Sequence, residues 1–284
     1  MTAIRGAAAA VTGAASGIGR ALALELAARG CDLALADRDE AGLRTLAAEI
    51  AKAHAQKAHA RKVTVHRVDV SDPGQIAEFA QAAISAHPGL NIVVNNAGVA
   101  LLGQFNEIEQ AQMDWLMNIN FWGVVHATRA FLPHLTRKPE AHIVNVSSIF
   151  GIVAPPGQTA YAAAKFAVRG FSESLRHELQ MAKSPVRLSV VHPGGVSTNI
   201  VRNSRTGTGV TDNARRAQSI ERFDAIAKTT PAAALRIITG IEKNQPRILI
   251  GNDARFMDLL QRFRPATYWT VLARRLEKMA NAGK

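Results

Sequence analysis

Short apolar segments alternate with longer amphipathic segments through most of the chain. The apolar segments do not alternate polar and apolar residues strictly, which is typical of strands covered on both faces of a sheet. Seven strands are predicted: Ala7–Thr12, Asp32–Ala36, Val63–Val68, Ile92–Asn95, Ile143–Ser147, Leu188–His192 and Arg247–Gly251. Between them, apolar residues recur at helical spacing, as in Gly17–Arg29 and Glu40–His54. These repeated units predict an α/β fold, a Rossmann-type doubly wound parallel sheet with its ligand beyond the carboxyl ends of the strands.

Two parts of the chain depart from this pattern. Residues from about 199 to 225 include a stretch rich in Gly, Thr and Ser, which predicts a loop that contacts the substrate. Residues 255–284 interleave arginines with aromatic and aliphatic residues, which predicts a basic amphipathic helical extension. We therefore expect a single domain over residues 1–254, followed by that extension.

Charge and composition argue against a nucleic-acid-binding, membrane-spanning or secreted protein. The 284 residues carry a formal net charge of +12, yet the basic residues are scattered and form no known nucleic-acid-binding module. We interpret the charge as a solvated basic surface and expect no nucleic-acid partner. No apolar run approaches the roughly 20 residues that span a bilayer, and the N-terminus has no signal-peptide pattern. With Cys31 as the single cysteine, these features favour a cytoplasmic protein.

A glycine-rich turn joins the first predicted strand to the first helix. Its residues Gly13, Ser16, Gly17, Ile18 and Gly19 have the composition and position of a turn that binds a dinucleotide pyrophosphate. A tight turn without a ligand is the alternative.

An acidic residue after the second strand bears on which dinucleotide binds. Asp37 stands 18 residues after Gly19, near the spacing of an acid that hydrogen-bonds a ribose 2′-hydroxyl. A carboxylate there would repel a 2′-phosphate, which favours NAD. The guanidinium of Arg38 can pair with such a phosphate, so NADP is the alternative cofactor.

A series of motifs runs in order from about residue 7 to 251: the glycine turn, Asp69, Asn95–Gly98, Asn120, Ser148, Tyr161 with Lys165, and Pro193-Gly194 with Thr198. A single motif of this kind has little specificity, whereas the ordered set is specific. In type and order these motifs resemble those of the short-chain dehydrogenase/reductase family. The resemblance implies an oxidoreductase that uses NAD(P).

Four of these residues are candidates for catalysis. Tyr161 is the candidate acid–base group, and Lys165 lies one helical turn away, where a cation favours the phenolate. Ser148 can polarise the substrate oxygen, and the neighbouring Ser147 is interpreted as a strand-end hydrogen-bonding residue. The resemblance implies that Lys165 also binds the nicotinamide ribose and that Asn120 holds a water in a proton relay, although a structural role for Asn120 is compatible.

The resemblance also implies contacts to the cofactor beyond the glycine turn and the catalytic pair. They come from Asp69, Val70, Asn96, Ala97, Gly98, Pro193, Gly194, Val196 and Thr198. His192 precedes Pro193 and is interpreted as a strand-end residue with a satisfied ring. No metal site is expected.

Substrate identity is left open by these motifs. Phe150, Ile152 and Val153 follow the candidate serine and are apolar, so they favour a lipophilic secondary alcohol or ketone. An NADPH-dependent reductase of 3-oxoacyl thioesters is the first alternative, and a non-catalytic dinucleotide-binding regulator or scaffold is the second. The resemblance implies a homodimer or homotetramer. For the extension we favour packing as a lid or against another subunit over contact with an anionic membrane.

Overall fold

A parallel sheet of seven strands forms the centre of the protein. The computed structural model describes residues 1–54, 61–198, 200, 202–210 and 229–274. The strands of this sheet are β1 (Ala8–Thr12), β2 (Asp32–Asp37), β3 (Val63–Arg67), β4 (Leu90–Asn95), β6 (Ala141–Val146), β7 (Val186–Pro193) and β9 (Arg247–Ile250). Their spatial order is β3-β2-β1-β4-β6-β7-β9. All seven predicted strands are confirmed, each boundary to within two residues.

Helices cover both faces of the sheet. They are α1 (Gly17–Ala28), α2 (Glu40–His54), α3 (Pro73–Ala86), α4 (Gln110–Met117), α5 (Gly123–Leu135), α6 (Thr159–Met181), α7 (Thr230–Glu242) and α8 (Asn252–Phe263). Residues 268–274 form a further helical segment, here called α9. Apolar residues of α1, α2 and α7 pack on one face of the sheet, and those of α3, α5 and α6 pack on the other.

Burial on both faces explains the continuous apolar segments in the sequence. In β1, Ala9 and Val11 pack with the first group of helices, while Ala8 and Ala10 pack with the second. Successive side chains of a strand point to opposite faces, so neither set can be polar. The predicted doubly wound α/β fold is confirmed.

The order of the strands creates a crevice at the centre of the sheet. β1 and β4 are neighbours, although β2 and β3 separate them in the chain. In doubly wound sheets the point where the strand order reverses is where ligands bind, beyond the carboxyl ends of the strands. The glycine turn after β1 and the Asn96–Gly98 segment after β4 both lie at this point.

A second, two-stranded sheet was not expected from the sequence. β5 (Leu101–Leu102) pairs in parallel with β8 (Arg205–Thr206), so the predicted loop over 199–225 contains a strand near its start. Gln112 of α4 holds this strand, because its amide donates to the Thr206 carbonyl oxygen at 3.1 Å. Residues 199, 201 and 211–225 of the predicted loop lie outside the described residues.

The C-terminal extension packs against the carboxyl end of the sheet. Its first helix, α8, begins at Asn252, before the expected boundary at residue 255. Ala254, Met257 and Tyr268 contact the apolar cluster that contains Ile152 and Val153. Residues 275–284 of the extension lie outside the described part of the chain. Within that part, no helix has the length and apolar character needed to cross a membrane.

Candidate active site

The glycine turn after β1 is shaped by contacts that leave no room for side chains. Gly13 and Gly17 have φ of +65° and +54°, which favours glycine at both positions. A Cβ on Gly19 would overlap the carbonyl oxygen of Gly13. The turn is also tied to β4, because the Asn96 amide donates to the Thr12 and Gly13 carbonyl oxygens at 3.0 and 3.1 Å.

Thr12 completes the link between β1 and β4. Its hydroxyl oxygen accepts hydrogen bonds from the backbone N–H groups of Asn96 and Ala97, at 3.0 and 3.1 Å. Thr12 was not among the predicted site residues. A hydroxyl residue at the end of a strand, immediately before a glycine turn, is the sequence signal that could have identified it.

The predicted selectors of the cofactor lie next to the glycine turn. The Asp37 carboxylate accepts a hydrogen bond from the Ala15 N–H at 3.0 Å, which fixes it beside the turn. Arg38 is 60% exposed and lies 4.0 Å from the Asp69 carboxylate. Asp69 also accepts hydrogen bonds from the backbone and the hydroxyl of Ser71. Arg38 therefore already faces an acidic partner.

Helix α6 carries the candidate acid–base pair. Tyr161 and Lys165 lie one turn apart and are 9% and 3% exposed. The Lys165 amino group donates a hydrogen bond to the Val146 carbonyl oxygen at 3.0 Å and lies 5.8 Å from the centroid of the Tyr161 ring. Burial lowers the pKa of Lys165 to about 8. Burial also raises the pKa of Tyr161, while a hydrogen bond with Ser148 lowers it. Since the first effect is larger, Tyr161 is a neutral phenol at neutral pH.

The two neighbouring serines after β6 have different partners. The Ser148 hydroxyl accepts a hydrogen bond from the Phe150 N–H at 3.1 Å and acts to lower the pKa of Tyr161, whereas the Ser147 hydroxyl donates to the Lys165 carbonyl oxygen at 2.8 Å. Ser147 therefore attaches the end of β6 to α6, and its predicted strand-end role is confirmed.

His192 supports the backbone of Ser148. Its Nδ1 lies 2.9 Å from the Ser148 carbonyl oxygen, which accepts the proton that Nδ1 carries. Burial lowers the pKa of His192 to about 4, so the ring is neutral at pH 7. The prediction of a strand-end residue is confirmed, and that of a satisfied ring is confirmed for Nδ1 but wrong for Nε2, which is buried without a hydrogen-bond partner among the described residues. The ring is held by one nitrogen only.

Asn120 lies in a π-helical turn, Asn118–Trp122, that interrupts the path from α4 to α5. Its side chain is fully buried and makes two bonds to the backbone of Val99: the amide donates at 2.9 Å, and the amide oxygen accepts at 2.8 Å. A Cβ at Gly98 would stand 3.2 Å from the Asn120 amide oxygen and 3.4 Å from the Lys165 amino nitrogen. Asn120, Gly98 and Lys165 are thus brought together, and the Asn120 side chain has a structural role.

The loop after β7 is held by a residue that the sequence did not identify. Asp253, in the first turn of α8, accepts a hydrogen bond from the Gly195 N–H at 2.7 Å. Its carboxylate fills the space that a Cβ at Gly194 or Gly251 would need. The same loop reaches the glycine turn, since a Cβ at Gly17 would lie 3.2 Å from a methyl carbon of Thr198. The two predicted cofactor segments therefore meet across the crevice.

The remaining predicted cofactor residues flank this crevice. Ser16 precedes α1 and is exposed, Ile18 is half-buried, and Val70, Pro193 and Val196 are buried. Val70 packs under Gly123 of α5.

The three predicted pocket residues occupy two environments. The half-buried Phe150 ring packs edge-on against the Tyr161 ring, with 6.2 Å between the centroids. Ile152 and Val153 are 1% and 2% exposed and face the C-terminal helices. Of the three, Phe150 is the one in contact with the acid–base residue. Among the described residues, no group of three or more His, Cys, Asp or Glu side chains is arranged to hold a metal ion.

Comparison with known proteins places the chain in a family. A sequence profile for short chain dehydrogenases matches residues 7–209. The chain is 39% identical over 273 residues to the putative oxidoreductase SadH of Mycobacterium tuberculosis, with 96% of each chain covered. It is 29% identical over 277 residues to dehydrogenase/reductase SDR family member 7B of Mus musculus, covering 97% of this chain and 83% of the relative.

Solved structures agree with the sequence comparison. The crystal structure of a short chain dehydrogenase/reductase from Burkholderia phymatum in complex with NAD superposes with a TM-score of 0.80. The two are 29% identical, and the match covers 99% of this chain and 97% of the other. The sequence profile, the relatives and the solved structure agree on one class of oxidoreductases. The chain belongs to the short-chain dehydrogenase/reductase family.

Proposed function

We propose that the protein transfers a hydride between a nicotinamide cofactor and the carbinol or carbonyl carbon of a lipophilic secondary alcohol or ketone. The buried pair of Tyr161 and Lys165, with the Lys165 amino group 5.8 Å from the phenol ring and Ser148 at the end of β6, carries this proposal. The pair lies at the carboxyl end of the sheet, beyond which a dinucleotide would bind.

The residues around the crevice fit a dinucleotide. Gly13, Gly17 and Gly19 form a close-packed turn that leads into the N-terminus of α1, where N–H groups and the helix dipole favour a pyrophosphate. The Asp37 carboxylate is fixed beside the turn, where it suits a ribose hydroxyl and disfavours a 2′-phosphate. Because Arg38 is drawn toward Asp69, NAD is the favoured cofactor and NADP the alternative. The Burkholderia relative was solved with NAD.

The chemistry assigned to the chain is proton transfer and orientation. A bound nicotinamide would supply or accept the hydride. In the reductive direction Tyr161 donates its phenolic proton to the substrate oxygen, a role that suits a group kept protonated by burial. Ser148 donates a hydrogen bond to the same oxygen and so orients it. Lys165 remains mostly cationic at pH 7, with a pKa of about 8, and stabilises the phenolate that forms.

The apolar surroundings of Tyr161 support a lipophilic substrate. Tyr161 packs in a cluster with Leu101 and Leu116, and the half-buried Phe150 and Ile200 pack against it. Apolar walls with a few convergent polar groups are typical of small-molecule sites. The predicted pocket is therefore centred on Phe150, with Ile152 and Val153 supporting it from behind.

Assembly and location are proposed with the activity. The family resemblance favours a homodimer or homotetramer built through the helical segments that carry Asn120 and Tyr161. Trp122 and Phe166 lie on these two segments and are 44% and 38% exposed, which leaves aromatic surface available for an interface. We propose that the protein works in the cytoplasm.

The test uses the two tyrosines of the chain, Tyr161 and Tyr268. Tyr161→Phe should lower turnover of secondary alcohols and ketones by about 10²-fold or more, with dinucleotide affinity within about twofold of the wild type. Tyr268→Phe is the matched control and should keep turnover. Unchanged turnover in Tyr161→Phe would refute the proposed mechanism.

Separate titrations with NADH and NADPH test the choice of cofactor. We expect tighter binding of NADH, because Asp37 lies where a 2′-phosphate would be. Tighter binding of NADPH would assign the selector role to Arg38 and favour the 3-oxoacyl thioester reductase. Dinucleotide binding without turnover of any alcohol or ketone would favour a regulator or scaffold.

A further inference from the structure

Helix α8 presents one face to solvent that combines apolar and basic residues. Its exposed residues recur at helical spacing and are Asn252, Arg255, Phe256, Leu259, Arg262 and Phe263. We call these residues the α8 outer face. Leu259 is 54% exposed and Phe263 is 79% exposed, which is unusual for large apolar side chains that share one helix face.

The acidic residues of α8 point away from this face. Asp253 accepts a hydrogen bond from the Gly195 N–H. Asp258 is 5% exposed and pairs with Arg247 at 2.5 Å and with Arg262 at 3.4 Å. Both carboxylates are therefore engaged, Asp253 with the loop after β7 and Asp258 with Arg247 and with Arg262 at the edge of the face, and none of the six residues of the α8 outer face is acidic.

Basic residues continue beyond the end of the helix. Arg264, which follows α8, and Arg274, at the end of α9, are both exposed. Arg255, on the α8 outer face itself, is also exposed. A helix with apolar side chains on one face and arginines at their border is typical of segments that lie in a membrane interface.

The inner side of α8 packs on the protein, as expected for a lid, but its outer face departs from that expectation: we propose that the α8 outer face binds the surface of an anionic lipid membrane. Leu259 and Phe263 would enter the boundary between headgroups and acyl chains, and Arg255 and Arg264 would contact lipid phosphates. The chain's net charge of +12 favours approach to such a surface.

Charge argues against a second copy as the occupant. A twofold interface brings the same patch of both subunits together, so an interface formed by this face would bring two basic patches together, and none of the six residues of the face is acidic. Like charges placed opposite each other disfavour association. An anionic surface removes this repulsion and binds the arginines directly.

The membrane-binding helix also touches the candidate active site. Its inner side holds the loop after β7 through Asp253 and packs on Ile152 and Val153. A membrane bound to the α8 outer face would therefore lie on the other side of the helix from the crevice. The binding proposal itself does not depend on the proposed activity.

The test measures co-flotation of the full chain with phosphatidylcholine vesicles that contain or lack phosphatidylglycerol. We expect binding only when phosphatidylglycerol is present. Leu259→Ser/Phe263→Ser should weaken partitioning at least tenfold. Arg255→Gln/Arg264→Gln should weaken it by about fivefold for each arginine.

Matched controls separate this face from the general positive charge. Met181→Ser/Leu235→Ser changes exposed apolar residues elsewhere, and Arg137→Gln/Lys243→Gln removes the same charge from other exposed sites. Both controls should bind within about twofold of the wild type. Binding lost equally in test and control variants would overturn the proposal, since the charge alone would then explain it.

Two further measurements test whether residue 263 enters the bilayer and whether the α8 outer face joins two copies of the protein. Tryptophan in Phe263→Trp should be quenched by brominated lipid more than tryptophan in Met181→Trp, and equal quenching would contradict insertion. If this face joined two copies, Leu259→Ser/Phe263→Ser would alter the oligomeric mass, and such a change in light scattering would overturn the proposal. Activity measured in parallel without vesicles tests the proposed function separately.

Discussion

Replacing Lys165 should remove activity without destabilising the fold at neutral pH. Its amino group is buried below the phenol of Tyr161 and has the Val146 carbonyl oxygen as its hydrogen-bond partner. Lys165→Met keeps an unbranched side chain of similar length and removes the charge. We expect the variant to lose activity, while its stability relative to the wild type depends on pH.

The magnitude follows from the depressed pKa. Burial lowers the pKa of Lys165 from 10.5 to about 8, so the ammonium costs the folded state about 3 kcal/mol at pH 7. The unfolded chain binds this proton more tightly, so wild-type stability rises with pH between about 8 and 10.5. Between pH 7 and pH 10 the contribution amounts to about 2.5 kcal/mol. The substitution also leaves the Val146 carbonyl oxygen without its hydrogen-bond donor, which destabilises the folded variant by about 1–3 kcal/mol.

These values predict that the difference in folding stability between Lys165→Met and the wild type changes sign between pH 7 and pH 10. Lys165→Met should be as stable as the wild type or more stable at pH 7, and less stable at pH 10. Urea unfolding of the ligand-free protein at a series of pH values measures this, with Lys243→Met, an exposed lysine, as the control. A stability difference between Lys165→Met and the wild type that does not change over this range would refute the buried-charge argument.

Two further predictions concern the loop after β7 and the base of the sheet. Asp253→Ala removes the acceptor for the Gly195 N–H and should weaken dinucleotide affinity, measured by calorimetry, about tenfold. Asp253→Asn keeps an acceptor and should weaken the affinity less, and Asp114→Ala, at an exposed position, is the control. Equal affinities in the wild type and Asp253→Ala would exclude the positioning role. Burial lowers the pKa of His142 from 6.5 to about 4, so its contribution to stability is present above pH 6.5 and is lost as pH falls through 4. The wild type should therefore lose about 2 kcal/mol more than His142→Gln between pH 7 and pH 4.5, measured by urea unfolding with the exposed His177→Gln as control, and parallel losses would contradict this.

The large elements were predictable because their signals are local. Strands covered on both faces require continuous apolar segments, and α1 begins at the glycine turn that the sequence marks. The short pairing of Leu101–Leu102 with Arg205–Thr206 could not be predicted, because two residues show no periodicity. The partner of each strand lies about a hundred residues away.

In the candidate site, too, the residues themselves could be predicted from the sequence, but their hydrogen-bond partners could not. The residue types and order of Ser148, Tyr161 and Lys165 were visible in the sequence, whereas their partners were not. Nothing local indicates that Ser147 bonds the Lys165 carbonyl or that Asp253 fixes Gly195. The direction of the Tyr161 pKa also depends on burial, which the spacing of Tyr161 and Lys165 does not report.

The α/β fold, the places of the seven central strands and the residue types that could perform the chemistry follow from the sequence. Each depends on periodicity or on a motif within a few residues. The bond from Ser147 to the backbone of Lys165, the contact by which α8 holds the loop after β7 and the exposed face of α8 come from the folded structure. These features arise where segments far apart in the chain meet, and burial and hydrogen bonding there are set by the whole fold.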